Sequence, residues 1–405
     1  MEQRSAARGD QVTTTTGETK TVTINMGPQH PSTHGVLRVV VELDGERVIS
    51  AKPVVGYLHT GIEKTMESKL YHLALPCTDR MDYLNPMGNN LCYSLAVEKL
   101  MEIEVPEKVK YARVCLAELT RVNSHLVWLG THALDLGAMS MLLYAFRERE
   151  LIVDIYEACG GQRMMTSYIR IGGLAYDLPK DFDKKVRNVV NTIRKRMVDY
   201  ETLLTNNQIF INRTKGVAVI SAEDAINWSL SGPLLRGSGV NYDVRKAQPY
   251  SGYEKFDFEV PLGKHGDAYD RYLIRLTEIR QSLRICEQAL DGMPEGPYRA
   301  HVPGVVLPPK EDVLFKMESM IFHFKIITEG FKAPTGTVYQ AVESPKGELG
   351  MMITGDGTNK PRRVRVRPPS FINLASLAKL AEGGLFSDVV CAIGSIDIVL
   401  GEVDR

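Results

Sequence analysis

The segment Leu126–Phe146 constrains the fold of this chain more than any other stretch of the sequence. It is apolar on nearly every side of a helix, which predicts a buried helix or a pair of buried helices. Asp135 interrupts this segment, and an unpaired carboxylate in an apolar interior is either costly or protonated. Asp135 therefore needs a partner. Two sources are open: His132 on the same helical face, or a histidine of the loop at 27–35.

The loop at 27–35 carries two histidines, His30 and His34, among prolines that disfavour a helix. The residues that follow, 36–55, alternate around Asp44 and Gly45 and predict a β-hairpin. His34 would then lie at the entrance to a rigid hairpin, a position that suits proton chemistry near neutral pH. A surface turn with two solvated histidines is the alternative interpretation.

Charge and cysteine content exclude several classes of protein. The 405 residues include 49 basic and 49 acidic side chains, so the formal net charge is zero. This balance argues against nucleic-acid binding and against a polybasic membrane anchor. The six cysteines form no CxxC pair, which argues against a local zinc or cluster site and a disulfide framework, and favours a reducing, cytosolic setting. No Gly-rich dinucleotide fingerprint follows a strand, so direct NADH binding is not supported.

Hydrophobic periodicity predicts an α+β fold, with a helical core between β-rich regions. We expect residues 1–20 to form a disordered or partner-bound arm, and residues 21–405 to form one domain. No window of 18 apolar residues is free of charge, so no transmembrane helix is expected. Strands are expected at 216–221 and over Val389–Leu400. The predicted parts are a β-rich region at 21–75, a helical core at 76–210, a β/loop excursion at 211–265, and helices followed by a β region at 266–405.

Two further features could carry chemistry. Tyr83 lies in the run 80–86 between helical stretches, and a phenol can donate a hydrogen bond to a carbonyl or quinone oxygen. Its spacing does not distinguish it from the other tyrosines of the chain. Arg363, Arg365 and Arg367 share one face of a predicted strand. That basic face is either solvated or meets an acidic partner or a negatively charged metal cluster.

A series of long motifs follows in order along the chain. They are GPQHPSTHGVLR at 27–38, GYLHTGIEK at 56–64, DRMDYLNPM at 79–87, HALDLGAM at 132–139, YIRIGG at 168–173, LRGSGVNYDVRK at 235–246, SPKGELG at 344–350 and DIVLGEVDR at 397–405. With these motifs, the chain from about Thr21 to Arg405 resembles the D-type subunit family of respiratory complex I, the proton-pumping NADH:quinone oxidoreductase. In mitochondria this family is the 49 kDa-type subunit. The resemblance implies a fold like that of the nickel–iron hydrogenase large subunit, to which the family is related.

Hydrogenases of that kind hold their metal centre with two CxxC pairs, one near each end of the chain. Here Asp82 and Asn85 stand at the first pair of positions, and Val399 and Glu402 stand at the second. Four soft thiolate ligands are therefore missing, and a nickel–iron centre cannot be built. A catalytic hydrogenase subunit is excluded on this ground. The resemblance implies a hydrogenase scaffold whose metal pocket has been converted to another use.

In the family, the converted pocket is the inner end of a quinone channel. The resemblance implies that His34 and Tyr83 hydrogen-bond the two oxygens of the quinone head group, and that Asp135 pairs with His34. It also implies that Thr131 contributes to quinone binding. The chemistry is a two-electron, two-proton reduction, with His34 and Tyr83 as proton donors. Rearrangement of the His34–Asp135 pair would begin the signal that drives proton pumping.

The resemblance further implies an assembly. The terminal iron–sulfur cluster belongs to a B-type partner, and the C-type, I-type and H-type subunits are further neighbours. The substrate is menaquinone or ubiquinone, no metal is bound by this chain, and the location is peripheral, on the cytoplasmic side of the bacterial cell membrane. The alternative is a homologous subunit of a related complex that takes electrons from ferredoxin or deazaflavin.

One position departs from the family pattern. Many members carry a histidine near the terminal cluster in the segment that matches 161–168, and Met165 stands there in this chain. A thioether offers no titratable proton and only a weak hydrogen bond. We therefore expect a lower and less pH-dependent potential for the neighbouring cluster, which suits a low-potential quinone such as menaquinone.

Overall fold

A computed structural model describes residues 11–14, 20–33 and 35–405. Helices form the centre of the molecule and the sheets are small and antiparallel, so the predicted α+β class is confirmed. Its relation to the hydrogenase fold stays a prediction. His34 lies outside the described residues.

Four antiparallel strands form the N-terminal sheet in chain order. The predicted hairpin is confirmed: alternate residues of its first strand, Val39, Val41 and Leu43, point into the core and are buried. The first strand of the sheet, Gln11–Thr14, lies inside the segment predicted as a disordered or partner-bound arm and pairs with the next strand. The prediction of the arm as a whole stays a prediction. The strands are β1 (Gln11–Thr14), β2 (Lys20–Met26), β3 (Arg38–Asp44) and β4 (Arg47–Val54).

Five helices follow the sheet, and the last two confirm the predicted helix pair. Asp135 is the final residue of the fourth helix, so it stands at a helix end and not in the middle of an apolar helix. Full burial of the pair was wrong, because Leu134, Met139 and Leu143 at their junction are exposed. The helices are α1 (Ile62–Ser68), α2 (Tyr71–Thr78), α3 (Pro86–Met101), α4 (Glu107–Asp135) and α5 (Met139–Gly160).

The middle of the chain is more helical than predicted. The strand expected at 216–221 is wrong, because Gly216 and Ala218 adopt positive φ angles and Ile220 bonds the carbonyl of Gly266 in a loop. The elements are β5 (Ile169–Arg170), β6 (Gly173–Leu174), α6 (Phe182–Tyr200) with a π-helical extension (Glu201–Thr205), α7 (Gln208–Thr214), α8 (Ala222–Asn227), α9 (Pro233–Gly237), α10 (Val244–Ala247) and α11 (Ala268–Gly292).

The C-terminal part contains a three-stranded antiparallel sheet followed by helices. The strand predicted over Val389–Leu400 is wrong. Val389, Ala392, Ile393 and Ile396 are buried at helical spacing, and this periodicity forms a helix. The elements are α12 (Lys310–Phe315), α13 (Met317–Thr328), β7 (Gly336–Ser344), β8 (Gly347–Gly355), β9 (Arg363–Arg367), α14 (Pro369–Ala375), α15 (Leu377–Ala381), α16 (Phe386–Ile396) and α17 (Leu400–Asp404).

Helix α4 is the centre of the packing. It lies against α5, α11 and α16, while β7 and β8 cover α3. The indole of Trp128 on α4 donates a 2.7 Å hydrogen bond to the carbonyl of Gly394 on α16. The N-terminal sheet shares a second hydrophobic cluster with the C-terminal helices, so both ends of the chain meet beside α4. No helix in the described ranges is long and apolar enough to cross a membrane.

The helix α17 contacts the turn after α2 directly. A Cβ atom added to Gly401 would lie 2.6 Å from the carbonyl oxygen of Met81 and 2.8 Å from that of Arg80. The carboxylate of Asp404 accepts hydrogen bonds of 2.8 and 2.6 Å from the backbone N–H groups of Gly56 and Leu58. These contacts join the C-terminal segment to two earlier loops.

A network of fully buried ion pairs crosses the core between α4, α10 and α11. The guanidinium of Arg245 lies 3.1 Å from Glu118 and 2.7 Å from Asp243. Burial alone would raise the pKa of Glu118, but Arg121 and Arg245 outweigh it and bring that pKa to about 2. The carboxylate is therefore ionised, and its neighbours must remain cationic.

In contrast, α12 and α13 expose large apolar side chains. Phe315 is 87% exposed, and Leu314, Met317 and Phe324 are each at least two thirds exposed. A surface of this kind is unusual on a protein that stands alone.

Replacing Arg245 by methionine tests the buried network. The variant removes one of two close cations from each carboxylate, leaving Arg121 3.2 Å from Glu118 and Arg236 3.7 Å from Asp243. We therefore expect the free energy of unfolding to fall by about 3 kcal/mol, at the low end for a broken buried pair. Arg194→Met is the matched control, because its pair with Glu287 is at the surface and is worth about 1 kcal/mol or less. Urea unfolding measures both variants, and equal losses would contradict the assignment.

Replacing Gly401 by alanine tests the contact of α17. The new Cβ meets two backbone carbonyls that cannot rotate away, so we expect a loss of about 1–3 kcal/mol. Gly296→Ala is the control, because a Cβ there has only an ordinary 3.9 Å contact with Lys108. Thermal unfolding measures the difference, and an unchanged midpoint for Gly401→Ala would count against the packing.

Candidate functional site

Tyr83 lies in a tight turn between α2 and α3. The backbone N–H of Leu84 donates a 3.1 Å hydrogen bond to the Asp82 carboxylate, and Asn89 donates one of 3.0 Å to the Asp82 carbonyl. These bonds fix Asp82 in the interior and leave Tyr83 half-buried beside it. Burial, together with the charge of Asp82, raises the pKa of the Tyr83 phenol. Within the described part of the chain, the Tyr83 hydroxyl makes no hydrogen bond.

A buried lysine stands next to this turn. Lys346 follows β7, and its ammonium lies 3.2 Å from Asp82 and 3.8 Å from Asp397. It also donates a 2.7 Å hydrogen bond to the hydroxyl of Ser124 on α4. Burial would lower the pKa of Lys346, but Asp397 and Asp82 outweigh it and raise that pKa, so the lysine stays charged.

Glu402 on α17 completes the group, and we call Asp82, Lys346, Asp397 and Glu402 the buried charge cluster. The hydroxyl of Ser370 donates a short hydrogen bond to Oε2 of Glu402. Oε1 of Glu402 has no hydrogen-bond partner among the described residues. Burial and the nearby charge of Asp82 raise the pKa of Glu402 to about 8, and burial raises that of Asp397 to about 6.

The structure brings together the two segments that the hydrogenase resemblance singled out. Asp82 and Asn85 lie in the turn against which α17 packs, and Glu402 lies on α17 itself. The backbone N–H of Val399 is 3.4 Å from the Ser370 hydroxyl, which also contacts Glu402. In the part of the chain that the structure describes, no group of His, Cys, Asp and Glu side chains could hold a metal ion. An ammonium is the cation at this place.

Three polar side chains of α4 share one face of the helix. Ser124, Thr131 and Asp135 are spaced by seven and four residues, which returns them to the same side. Ser124 contacts Lys346, and Asp135 lies about 16 Å further along the axis at a rise of about 1.5 Å per residue. The Thr131 hydroxyl donates to the carbonyls of Val127 and Trp128 at 3.0 and 3.2 Å, and its predicted part in quinone binding stays a prediction.

A histidine of the loop at 27–35, one of the two sources that the sequence left open, acts on Asp135. Burial raises its pKa to about 6, and His30 partly opposes this shift. His132 stacks on Trp128 with ring centroids 5.1 Å apart and meets the edge of Phe210. His30 is a described histidine in electrostatic contact with Asp135. Pairing with His34, which lies outside the described residues, stays a prediction.

The loop that carries His30 is closed by local hydrogen bonds. The backbone N–H of Ser32 donates a 3.2 Å hydrogen bond to Nδ1 of His30, and the Thr33 hydroxyl donates one of 2.8 Å to the His30 carbonyl. A Cβ at Gly27 would lie 2.1 Å from the carbonyl oxygen of Leu37, so only glycine fits where the loop returns to β3. His30 is thus part of the turn, as expected, and its ring also acts on Asp135.

Met165 is half-buried in the loop after α5, with a φ of 56°. Two residues later, Ser167 donates a hydrogen bond to Asp79, which begins the turn that holds Tyr83. The loop of Met165 therefore adjoins the Tyr83 turn. The alternation predicted for the basic strand is confirmed, because Val364 and Val366 are buried between the arginines. Arg363 lies 3.1 Å from Glu67 of the same chain.

Sequence reasoning missed the residues that link the cluster. Lys346, Asp397, Ser124 and Ser370 received no role, although two of them lie in quoted motifs. A lysine in the turn between two strands normally points to solvent, and no local pattern indicates that Lys346 is buried. Only the tertiary contact between the sheet, α4 and the C-terminal helices places it in the site.

The comparisons with known proteins agree with these motifs. A family model described as "Respiratory-chain NADH dehydrogenase, 49 Kd subunit" matches residues 135–405. The D 2 subunit of NADH-quinone oxidoreductase from Chloroflexus aurantiacus is 58% identical over 392 residues, covering 96% of this chain and 95% of the relative. The D subunit of NADH-quinone oxidoreductase from Geotalea uraniireducens is 56% identical over 387 residues, covering 96% and 99%. The chain therefore belongs to the family of the 49 kDa subunit of respiratory-chain NADH dehydrogenase.

Proposed function

We propose that this chain is the quinone-site subunit of a proton-translocating NADH:quinone oxidoreductase, and that Tyr83 binds the quinone head group. The observation that carries the proposal is the position of Tyr83. Its hydroxyl makes no hydrogen bond in the described part of the chain, and it borders the buried charge cluster where the two hydrogenase-like segments meet. The relatives are named as D-type subunits of NADH-quinone oxidoreductase, which supports the same function.

The chemistry follows from the ionisation states. Because burial raises its pKa, the Tyr83 phenol keeps its proton at neutral pH and can donate a hydrogen bond to a quinone oxygen. His34 is the proposed donor to the second oxygen, and Thr131 and Asp135 continue the site along one face of α4. Two electrons come from an iron–sulfur cluster of a neighbouring subunit. Tyr83 and His34 supply the two protons, and the changed charge beside Asp135 begins the coupling to proton pumping.

The proposed assembly contains the B-type, C-type, I-type and H-type subunits, and it places this chain peripherally on the cytoplasmic side of the membrane. The exposed apolar side chains of α12 and α13 support a partner-bound subunit, because large apolar patches mark interaction surfaces. The proposed quinone site lies where segments 80–85 and 397–402 meet, which are the segments that the hydrogenase resemblance singled out. NADH is the proposed primary donor, and co-purification of a flavin-containing, NADH-binding subunit distinguishes it from ferredoxin or deazaflavin.

Substitution of the three site residues tests the proposal in the assembled complex. We expect Tyr83→Phe, His34→Ala and Asp135→Asn each to lower the rate of quinone reduction by about 10²-fold, because each removes or mispositions a proton donor. Tyr176→Phe is the control, since Tyr176 is 67% exposed. Reduction of a water-soluble acceptor upstream of the quinone site should stay unchanged. Wild-type quinone reduction in all three variants would refute the assignment.

Met165 generates a separate prediction about the neighbouring cluster. In the unmodified complex, we expect the midpoint potential of the terminal cluster to change little with pH, because a thioether does not titrate. Met165→His should introduce a slope between about pH 6 and 8, where imidazole titrates. Redox titration followed by electron paramagnetic resonance measures both. A clear slope in the unmodified complex would contradict the prediction.

A further inference from the structure

The buried charge cluster has an unequal number of acids and bases. The charges of three carboxyl groups act on Lys346, namely Asp82, Asp397 and Glu402. Oδ2 of Asp82 and Oδ2 of Asp397 face the ammonium at 3.2 and 3.8 Å, whereas Oε1 of Glu402 has no hydrogen-bond partner among the described residues. One more cation, Arg275 of α11, lowers the pKa of Asp397. Lys346 and Arg275 together balance two carboxylates. The cluster together with Arg275 is therefore neutral when one of the three carboxyl groups carries a proton.

Glu402 is the carboxyl group whose surroundings favour that proton. It is fully buried, and the charged groups that face it are Asp82 and Lys346. Lys346 is nearer to the two aspartates, at 3.2 and 3.8 Å. On the rest of α17, Asp404 is bound by backbone N–H groups and Arg405 lies 3.2 Å from Glu63, so neither side chain is available to Glu402. An ionised Glu402 would leave a buried oxygen without compensation.

The cluster is next to the proposed proton donor. Asp82 precedes Tyr83 in the chain, and the charges of Asp82, Lys346 and Asp397 all act on the Tyr83 phenol. Loss of the phenol proton adds one negative charge beside a cluster that is balanced. Lys346 stabilises that charge. Transfer of a proton from the cluster to the phenolate moves the negative charge into the cluster, and uptake of a proton from solvent then restores neutrality.

We propose that Glu402 stores the proton that restores Tyr83 after each donation to reduced quinone. In the first step the O–H bond of Tyr83 breaks and an O–H bond forms on the quinone oxygen. In the second step the Glu402 carboxyl loses its proton, Lys346 passes one on, and the phenol O–H re-forms. No electron moves in the second step, and Glu402 later takes a proton from solvent. Because it takes Tyr83 as the donor, this inference rests on the proposed function.

Glu402 acts through Tyr83, so the test is the pH profile of quinone reduction in the assembled complex. The unmodified complex should lose rate as pH rises through about 8, as Glu402 loses its proton. Glu402→Gln keeps the size of the side chain and removes the stored proton. We expect a rate about tenfold lower at neutral pH, at the low end of general acid–base effects, and no fall through that pH range. Glu382→Gln, an exposed glutamate of the same region, should keep the unmodified profile.

Ser370→Ala distinguishes proton storage by Glu402 from a purely structural role of Glu402. The Ser370 hydroxyl bonds the Glu402 carboxyl and opposes the rise of its pKa. Its loss should therefore move the alkaline fall in rate to higher pH. An unmoved profile in Ser370→Ala, or a profile of Glu402→Gln that superimposes on the unmodified one, would overturn the inference.

If Glu402→Gln does not assemble, infrared difference spectra of the unmodified complex, recorded on quinone reduction, test whether a carboxyl group gives up a proton. The unmodified complex should lose a protonated-carboxyl band during turnover, and the absence of any such change would overturn the inference. Failure of the proposed function is distinct. If Tyr83→Phe reduces quinone at the normal rate, both proposals fail; if Tyr83→Phe is slow and Glu402→Gln is normal, only this inference fails.

Discussion

The ion pair between Lys346 and Asp82 is the interaction on which the site depends. Lys346 comes from the turn between two strands, Asp82 from the turn after α2, and the second aspartate from the C-terminal helices. Removing one member of a buried pair costs about 3–5 kcal/mol, because the remaining charge has no water to solvate it. Each of these three segments is therefore held in place by the other two. The same contacts fix the position of the half-buried Tyr83 phenol.

Close backbone packing makes this arrangement possible. Gly401 lets α17 approach the carbonyls of the Tyr83 turn, and Gly27 lets the histidine loop return to β3. Arg275 extends the cluster further, because it acts both on Asp397 and on Glu278 of the buried network in the core. Arg275 therefore links two groups of buried ions electrostatically. The site is electrostatically continuous with the core and not an isolated pocket.

The sequence predicted the elements whose patterns are local. The hairpin around Asp44 and Gly45, the helix pair near Asp135 and the alternation of Arg363–Arg367 all follow from short-range periodicity. Prediction from the sequence failed where tertiary contacts decide the structure. The β-branched residues Val389 and Val390 indicate a strand, yet the segment forms α16, and its buried residues have helical spacing. Lys346 was missed for the same reason, since nothing near it in the chain indicates burial. The positions 82, 85, 399 and 402 came from resemblance, and their proximity was visible only in three dimensions.

The exposed apolar side chains of α12 and α13 have a consequence for how cells make this subunit. A chain that leaves the ribosome before its partners are present exposes Phe315 and Phe324 to solvent. Such a surface favours association with other unassembled chains, and unassembled subunits that expose it are targets for chaperones and proteases. Synthesis in step with its partners would then set the amount of the subunit that survives. Its abundance should follow the scarcest partner and not its own messenger RNA.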